Sequence, residues 1–139
     1  MMAARPYAEL LQRLRAAGLR PTRQRLALAR LLFEPGDRHI TADELHAEAD
    51  EAGVGVSLAT VYNTLNQFTA AGLLRAVAVE AGRAYFDTNT SAHHHFYFEE
   101  NGRLVDIPAE GLSVDGVPAA PAGAEVARVD VIVRLRGRG

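Results

Sequence analysis

The sequence predicts an α+β fold, in which a helical N-terminal domain ends in a β-hairpin and a small α/β domain, mostly β, follows. Apolar residues recur at helical spacing through residues 6–72, and short β-branched and aromatic runs then replace them. A polar stretch, Thr-Asn-Thr-Ser-Ala, separates the two domains. These observations place the first domain at residues 1–88, a linker at residues 89–92 and the second domain at residues 93–139.

Four helices are predicted in the N-terminal domain, each from an apolar face and from start and stop signals. The first spans Pro6 to Ala17, and the second follows Thr22, a residue type that caps helix N-termini. The third begins at the capping box Thr41-Ala-Asp-Glu44, and the fourth begins after Ser57. The predicted core-facing residues are Tyr7, Leu10, Leu11, Leu14, Leu26, Ala29, Leu32, Phe33, Leu45, Ala49, Ala52, Val61, Leu65 and Phe68.

A change of period after Gly72 predicts a β-hairpin. Leu73 to Val79 and Arg83 to Asp87 form its strands, and Glu80-Ala-Gly82 forms the turn between them. Helices followed by a hairpin are the arrangement of a winged helix-turn-helix domain, whose last helix enters the DNA major groove. We therefore expect the first domain to be a winged helix-turn-helix.

The second domain is predicted to contain three strands, at His94 to Glu99, Arg103 to Ile107 and Val126 to Leu135. Residues 108–124 hold three prolines and three glycines, so we expect a loop with little helix. Three strands bury little apolar surface on their own. The domain is therefore expected to pair with a second copy of itself, which makes the protein a homodimer.

The charge of the chain is distributed unevenly. The net charge is −2 and every basic residue is Arg, but residues 1–38 carry +5, residues 39–127 carry −10 and residues 128–139 carry +3. We expect only the basic N-terminal region to meet a polyanion. No apolar run is long enough for a transmembrane helix, and the charged N-terminus does not resemble a signal peptide. A cytoplasmic protein without a membrane partner is expected.

The fourth helix is the candidate DNA-reading helix. Because Val61, Leu65 and Phe68 face the core, Thr60, Tyr62 and Asn63 project elsewhere, where such side chains can contact base edges or phosphates. Arginines at the start of the second helix can grip phosphates or a minor groove. A polar helix face without DNA contacts remains the alternative. The candidate DNA-binding residues are Arg20, Arg23, Arg25, Ser57, Thr60, Tyr62 and Asn63.

Consecutive histidines provide the candidate metal ligands. The chain has no Cys, which excludes disulfides, thiolate zinc sites, iron–sulfur clusters and a Cys nucleophile. On a strand, His93 and His95 point to one side and His94 to the other. With His39 and Asp87 they would form a set of four nitrogen and oxygen ligands for zinc, iron or manganese that joins the two domains. The alternative is a chance surface cluster of histidines.

Other titratable residues are assigned to the surface. The carboxylates of the second domain, among them Asp106, Glu110 and Asp130, are expected to be surface groups more often than ligands. His46 lies beside Glu44 and Glu48 on the third helix and is expected to be solvated.

Four features occur in one order over most of residues 6–107: GLRPTRQR at 18–25, HITADELH at 39–46, SLATVYNTLNQFTAAGLL at 57–74 and the histidine cluster. Together they resemble the Fur family of metal-responsive transcription regulators. Tyr62-Asn63, the HHHF segment at 93–96, the absence of Cys pairs and the RVDVIVRLR segment at 128–136 resemble its Irr branch, the iron response regulators.

The resemblance implies a dimeric winged-helix repressor or activator that binds an AT-rich palindromic operator in double-stranded DNA. It implies that Arg20 enters the minor groove and that Tyr62 reads thymines, while Asn63 departs from the usual Arg. The interdomain metal ligands of the family correspond to His39, Asp87, His93 and His95, with Asp87 in place of the more usual Glu. The structural Cys zinc site of the family has no counterpart. The Irr branch also implies heme binding at His93, His94 and His95.

The leading hypothesis is a homodimeric regulator of iron and heme homeostasis that responds to a divalent metal or to heme. A small His/carboxylate metalloenzyme is one alternative, but the chain lacks an HExxH-type helix and a general base beside the histidines, so no enzyme is expected. A dimerisation module without DNA contact is the other alternative.

Overall fold

The computed structural model describes residues 7–80, 83–91 and 93–138 of the chain. It divides into two compact units, Met1–Thr90 and Ser91–Gly139, and each unit has its own three-stranded sheet. The α-helices lie in the first unit, and the second is mostly strand and loop with a short 3-10 helix at Ala109–Gly111, so the α+β class is confirmed. No helix in the described ranges has the length and apolar character needed to cross a membrane.

The N-terminal signals read from the sequence start three of the four helices. Thr22 Oγ1 accepts a hydrogen bond from the Arg25 amide at 3.1 Å, and Ser57 Oγ accepts one from the Thr60 amide at 3.1 Å. Both hydrogen bonds of the Thr41–Glu44 capping box are present. The predicted start at Pro6 lies outside the described residues. The helices are α1 (Ala8–Ala16), α2 (Arg23–Phe33), α3 (Ala42–Glu51) and α4 (Leu58–Ala70).

Apolar faces of these helices form the core of the first unit. Leu14, Leu32, Leu45 and Phe68 are almost fully buried, as the helical spacing predicted. Ala52 is exposed, contrary to expectation, because α3 ends at Glu51 and Ala52 is its C-terminal capping residue. The chain then turns away through Gly53, whose φ of 75° disfavours any other residue.

A three-stranded sheet follows the helices, in the order β1–β3–β2. The hairpin is confirmed, although its turn residues 81–82 lie outside the described residues. Its first strand begins two residues later than expected, because the amides of Leu73 and Leu74 hydrogen-bond back to the Phe68 carbonyl. The strands are β1 (His39–Ile40), β2 (Arg75–Glu80) and β3 (Arg83–Asp87).

Strand β1 was not predicted, since two residues are too few to show a period. It pairs with β3 in antiparallel register, with His39 opposite Asp87. Arg75 of β2 lies opposite Asp87 on the other side of β3. The sheet therefore places His39, Asp87 and Arg75 in one row across its three strands.

The sheet of the second unit has the order β5–β4–β6, with β4 antiparallel to β5 and parallel to β6. The strand predicted from Val126 is wrong over residues 126–131, and Val126 and Val129 are exposed. Pairing with β4 starts only near Val131, whose carbonyl accepts a hydrogen bond from the His95 amide. Strand propensity alone does not form a strand without a partner. The strands are β4 (His94–Phe98), β5 (Arg103–Ile107) and β6 (Ile132–Leu135).

Candidate metal centre and nucleic-acid-binding helix

His39 and Asp87 form an imidazole–carboxylate pair in the first unit. His39 Nε2 lies 3.4 Å from Asp87 Oδ2, and the Asp87 side chain is only 1% exposed. The other carboxylate oxygen, Oδ1, accepts a hydrogen bond from the Asn89 amide at 2.9 Å. A carboxylate is buried at low cost only when its oxygens have such partners. The pair is therefore a fixed nitrogen and oxygen donor set.

Arg38 holds the strand that carries His39 in place through hydrogen bonds. Its guanidinium donates to both carboxylate oxygens of Glu48 on α3, at 2.9 and 2.6 Å, and its amide donates to Thr88 Oγ1 at 2.9 Å. The hydrogen bonds to Glu48 raise the pKa of Arg38 above its usual value. Arg38 therefore stays charged and links α3, β1 and the residue after Asp87.

His93 and His95 lie side by side in the second unit, as the alternation along a strand predicts. Both residues are buried, at 7% and 2% exposure, and their ring centroids are 4.6 Å apart. Their Nε2 atoms lie 3.3 and 3.4 Å from the same oxygen of Asp106, Oδ1. Two imidazole nitrogens and a carboxylate oxygen thus converge on one small volume, within 4.8 Å of one another.

Backbone hydrogen bonds indicate the role of Nδ1 in the rings of His93 and His94. The Nδ1 atom of His93 lies 2.6 Å from the Ser91 carbonyl, which can only accept, so Nδ1 carries a proton and Nε2 is the nitrogen left to ligate a metal. This arrangement is usual for metal-ligating histidines. His94 differs, since its Nδ1 accepts a hydrogen bond from the Val131 amide at 3.0 Å. His94 therefore hydrogen-bonds to the residue that precedes β6, and its Nδ1 is not directed to the donor cluster.

Asp106 was expected from the sequence to be a surface group more often than a ligand, and the structure gives it both an exposed side chain and a contact with the histidines. Its side chain is 42% exposed, but its Oδ1 faces both buried histidines. The register of the β4–β5 hairpin places His95 opposite Asp106. Counting outward from a two-residue turn at Asn101-Gly102 would instead pair Asp106 with Tyr97, because the observed connection between the strands is the four residues 99–102. His46, expected to be solvated, is half-buried with Nε2 3.1 Å from the Val56 carbonyl.

The donor chemistry of both clusters fits a divalent transition metal. Each cluster combines imidazole nitrogen with carboxylate oxygen, which zinc, iron(II) and manganese accept. The buried rings of His93 and His95 are held in place by the strand and, for His93, by a hydrogen bond that leaves Nε2 ready to ligate. Neither unit alone supplies a set of four of the predicted ligands.

Helix α4 presents the side chains predicted to read bases. Tyr62 is 42% exposed and Asn63 beside it is also exposed. Ser57 caps the helix, and its hydroxyl also donates to Thr60 Oγ1 at 3.0 Å. Ser57 and Thr60 therefore stabilise the start of the helix, whereas Tyr62 and Asn63 extend from its surface.

The three predicted arginine contacts differ in their surroundings. Arg20 and Arg23 are exposed beside the start of α2. Arg25 is half-buried, and its guanidinium donates to the Arg20 carbonyl at 2.9 Å and to Gln67 Oε1 of α4 at 3.0 Å. Sequence reasoning missed Gln67, since no local pattern connects it with Arg25 over 42 positions.

The sequence model of the ferric uptake regulator family matches residues 16–131, which include most of both units. The chain belongs to this family. Members are transcription regulators and not enzymes, so this chain is a transcription regulator and the metalloenzyme alternative is wrong.

Individual relatives agree with the family assignment. The ferric uptake regulation protein of Vibrio anguillarum is 36% identical over 100 residues, which cover 71% of this chain and 67% of the relative. That of Shigella flexneri is 33% identical over 100 residues, which cover 71% of this chain and 68% of the relative. The alignments thus span about two thirds of these relatives' own lengths.

Solved structures of ferric uptake regulators share the fold. The regulator of Pseudomonas aeruginosa, determined with manganese, has a TM-score of 0.68 and 27% identity, covering 92% of this chain and 97% of that one. The regulator of Vibrio cholerae, described with rearranged DNA-binding domains, has a TM-score of 0.72 and 24% identity, covering 92% and 99%. The order of helices, hairpin and second sheet is therefore that of a ferric uptake regulator.

Proposed function

We propose that the protein is a homodimeric DNA-binding regulator of the Irr branch that senses iron status through one divalent metal ion. The proposed ligands are His39, Asp87, His93 and His95, the first two from one unit and the last two from the other. The observation that carries the proposal is that each unit holds an incomplete, buried set of nitrogen and oxygen donors.

The two donor sets complement each other in number and in chemistry. Protein sites for zinc, iron or manganese use roughly four to six ligands, and the four residues supply three imidazole nitrogens and a carboxylate oxygen. The chain between Asp87 and His93 spans at most about 22 Å when fully extended, so both sets stay within reach of a common ion. Asp106, already directed at His93 and His95, would supply a further oxygen ligand.

A bound divalent cation would supply positive charge that both carboxylates and three imidazoles stabilise. Backbone groups of the protein orient two of the proposed ligands. The Asn89 amide orients Asp87, and the Ser91 carbonyl orients His93. By holding residues of both units, such an ion would restrict the angle between them. The spacing of the two DNA-reading helices in a dimer depends on that angle, so metal occupancy would control operator affinity.

The DNA-binding part of the proposal depends on Tyr62 and Asn63. Both side chains are exposed on α4, the last helix before the hairpin wing. Tyr62 can pack on thymine methyl groups and Asn63 can pair with adenine, which suits an AT-rich site. Because a two-fold symmetric dimer presents two such helices, the site is expected to be palindromic. Arg20 and Arg23 would contact the minor groove or the phosphates.

A small ion suits the histidine cluster better than heme does. A heme needs an axial imidazole on an open apolar face, whereas His93 and His95 are buried beside a carboxylate. His94 is less buried, but its Nδ1 accepts a hydrogen bond from the Val131 amide. A neutral imidazole with Nδ1 as acceptor carries its proton on Nε2, so Nε2 is not ready to ligate iron. Heme binding is therefore an outcome that the test must distinguish.

The test measures DNA affinity and metal content in parallel. A duplex with an AT-rich inverted repeat is titrated with wild-type protein in the presence of Mn²⁺ or Zn²⁺ or of a chelator. Wild type is expected to bind in a metal-dependent manner, with affinity that falls steeply with salt. Y62A should lose DNA affinity and keep its metal, and the H93A/H95A double variant should lose its metal. Glu110→Ala, which removes an exposed carboxylate, serves as the control and should change neither property.

Three results would contradict the proposal. DNA affinity unaffected by metal removal would exclude metal sensing, and full metal content in H93A/H95A would exclude the proposed ligands. The third result is a Soret band that develops on addition of heme together with release of DNA, in protein whose DNA affinity does not depend on Mn²⁺ or Zn²⁺. It would identify heme as the signal instead.

A further inference from the structure

Arg25 makes two hydrogen bonds that join separate parts of the first unit. Nη1 donates to the backbone carbonyl of Arg20, and Nη2 donates to the side-chain oxygen of Gln67 on α4. The planar guanidinium has its donors in a fixed fork, so it holds both acceptors in a defined geometry. Arg25 thus connects the segment before α2 with the helix that carries Tyr62.

The backbone near Arg25 is also fixed. Its amide donates to Thr22 Oγ1, the N-terminal cap of α2. The segment from Arg20 to Arg25 is therefore held at the cap and at the Arg20 carbonyl. Arg20 itself keeps an exposed side chain, whereas Arg25 is half-buried.

Gln67 lies on the DNA-reading helix, four residues after Asn63. Residues four apart lie on the same face of a helix, so the hydrogen bond from Arg25 reaches α4 on the face that exposes Asn63. Any movement of the Arg20 segment relative to the base-reading side chains would break this bond.

We propose that Arg25 is a positioning residue, which fixes Arg20 relative to Tyr62 and Asn63 and is not itself a phosphate contact. The inference rests on the proposed function, since it concerns how this protein holds DNA. Gln67, although uncharged, is assigned the same positioning role as the acceptor of the Arg25 hydrogen bond. It also predicts that Lys cannot replace Arg25, because an ammonium group keeps the charge but not the fork.

The experiment compares DNA affinities of R25K, R25A, Q67A, R20A and R20A/R25K in the whole chain loaded with metal. R25K and Q67A should each bind an AT-rich inverted-repeat duplex roughly tenfold more weakly than wild type. The slope of log affinity against log salt should stay as in wild type, because neither change removes a phosphate contact. R20A/R25K should bind no more weakly than R20A, since a positioning residue has no effect once the group that it positions is gone.

Controls separate positioning from a general loss of stability. R15K and Q12A make the same substitutions at exposed positions of α1 and should bind like wild type. Metal content and thermal midpoint are measured for every variant. A merely structural role would weaken binding in R20A/R25K beyond R20A and lower the thermal midpoint in proportion.

The opposing results are distinct. Wild-type affinity in R25K or Q67A would overturn the inference and leave the proposed function intact. Two further results would also overturn the inference and leave the proposed function intact. One is that R20A/R25K binds DNA more weakly than R20A by the factor that R25K shows alone. The other is a salt slope reduced by about one in R25A, which would make Arg25 a direct phosphate contact. Absence of DNA binding by metal-loaded wild type would overturn the proposed function and this inference with it.

Discussion

The two units of the chain differ in how much apolar surface they bury. In the first unit, side chains from all four helices and the sheet form one core cluster around Leu14, Leu32, Leu65 and Phe68. Among the described residues of the second unit, the buried apolar side chains are Tyr97, Leu104 and Ile107. The described part of the second unit therefore lacks an apolar core comparable to that of the first.

This difference indicates what stabilises each unit. Burial of apolar surface is the main favourable term in folding, so the helical unit has the larger share of it. Three short strands with a long exposed segment gain little from burial, and the buried groups there include His93 and His95. The second unit is therefore expected to depend on a metal ion and on a second copy of the chain, whereas the first depends on its core.

The largest effect is expected from a cavity in the core of the first unit. F68A removes a side chain that is fully buried and should lower the free energy of unfolding by about 3–5 kcal/mol. Urea denaturation measures the change. Val114→Ala, at a position 41% exposed in the second unit, is the control and should change stability by less than about 0.5 kcal/mol. Equal losses in the two variants would contradict the contrast between the units.

Metal binding should have the next largest effect. A divalent ion at a hundred times its dissociation constant should stabilise the folded protein by about 2.7 kcal/mol, because it binds the folded state only. Unfolding followed with and without a chelator measures this gain. H95A should lose it, whereas H94A should keep it, since His94 is directed to Val131. Equal gains in H95A and wild type would remove His95 from the ligand set.

Self-association is expected to depend on the exposed apolar residues of the second unit. Val126 and Val129 are 51% and 37% exposed in the single chain, in a segment rich in strand-forming residues. If a second copy covers them, V129D should weaken the dimer roughly tenfold or more, because burying a carboxylate without a partner is unfavourable. Sedimentation equilibrium measures the dissociation constant. A Gln24→Asp variant in α2 controls for added charge, and a dimer as tight in V129D as in this control would place the interface elsewhere.

The smallest predicted effect concerns a single helix end. T41A removes the hydroxyl that accepts a hydrogen bond from the Glu44 amide, and it should lower the free energy of unfolding by about 1 kcal/mol. T41S keeps the hydroxyl and should retain most of the stability of wild type. Thermal unfolding of the metal-free protein measures both. A loss in T41S as large as in T41A would mean that the hydrogen bond is not what stabilises this end.

Local sequence signals predicted the first unit well. The caps at Thr22, Thr41 and Ser57 act over three or four residues, so the sequence contains both partners of each hydrogen bond. Strand β1 was missed, because two residues become a strand only when β3 is beside them. The contact between Arg25 and Gln67 was missed for the same reason.

The second unit was harder to predict because its structure depends on pairing. The hairpin of β4 and β5 was predicted, but a two-residue turn at Asn101-Gly102 would have placed Asp106 opposite Tyr97, and the four-residue connection in the structure places it opposite His95. The run from Val126 has high strand propensity, yet it forms a strand only from Ile132, where β4 supplies hydrogen-bond partners. The ligand set His39, Asp87, His93 and His95 was proposed from residue types and strand alternation, and the resemblance to the family implied the same four residues; it stays a prediction.

Calorimetric titration of Mn²⁺ or Zn²⁺ into wild type, H39A and H95A tests most directly whether one ion takes ligands from both units. Wild type should bind one ion per chain at this site, and both variants should bind it at least about a hundredfold more weakly. H94A, which alters a histidine outside the proposed set, should bind like wild type. Wild-type affinity in H39A together with a loss in H95A would show that the second unit binds the metal alone, and would contradict the account.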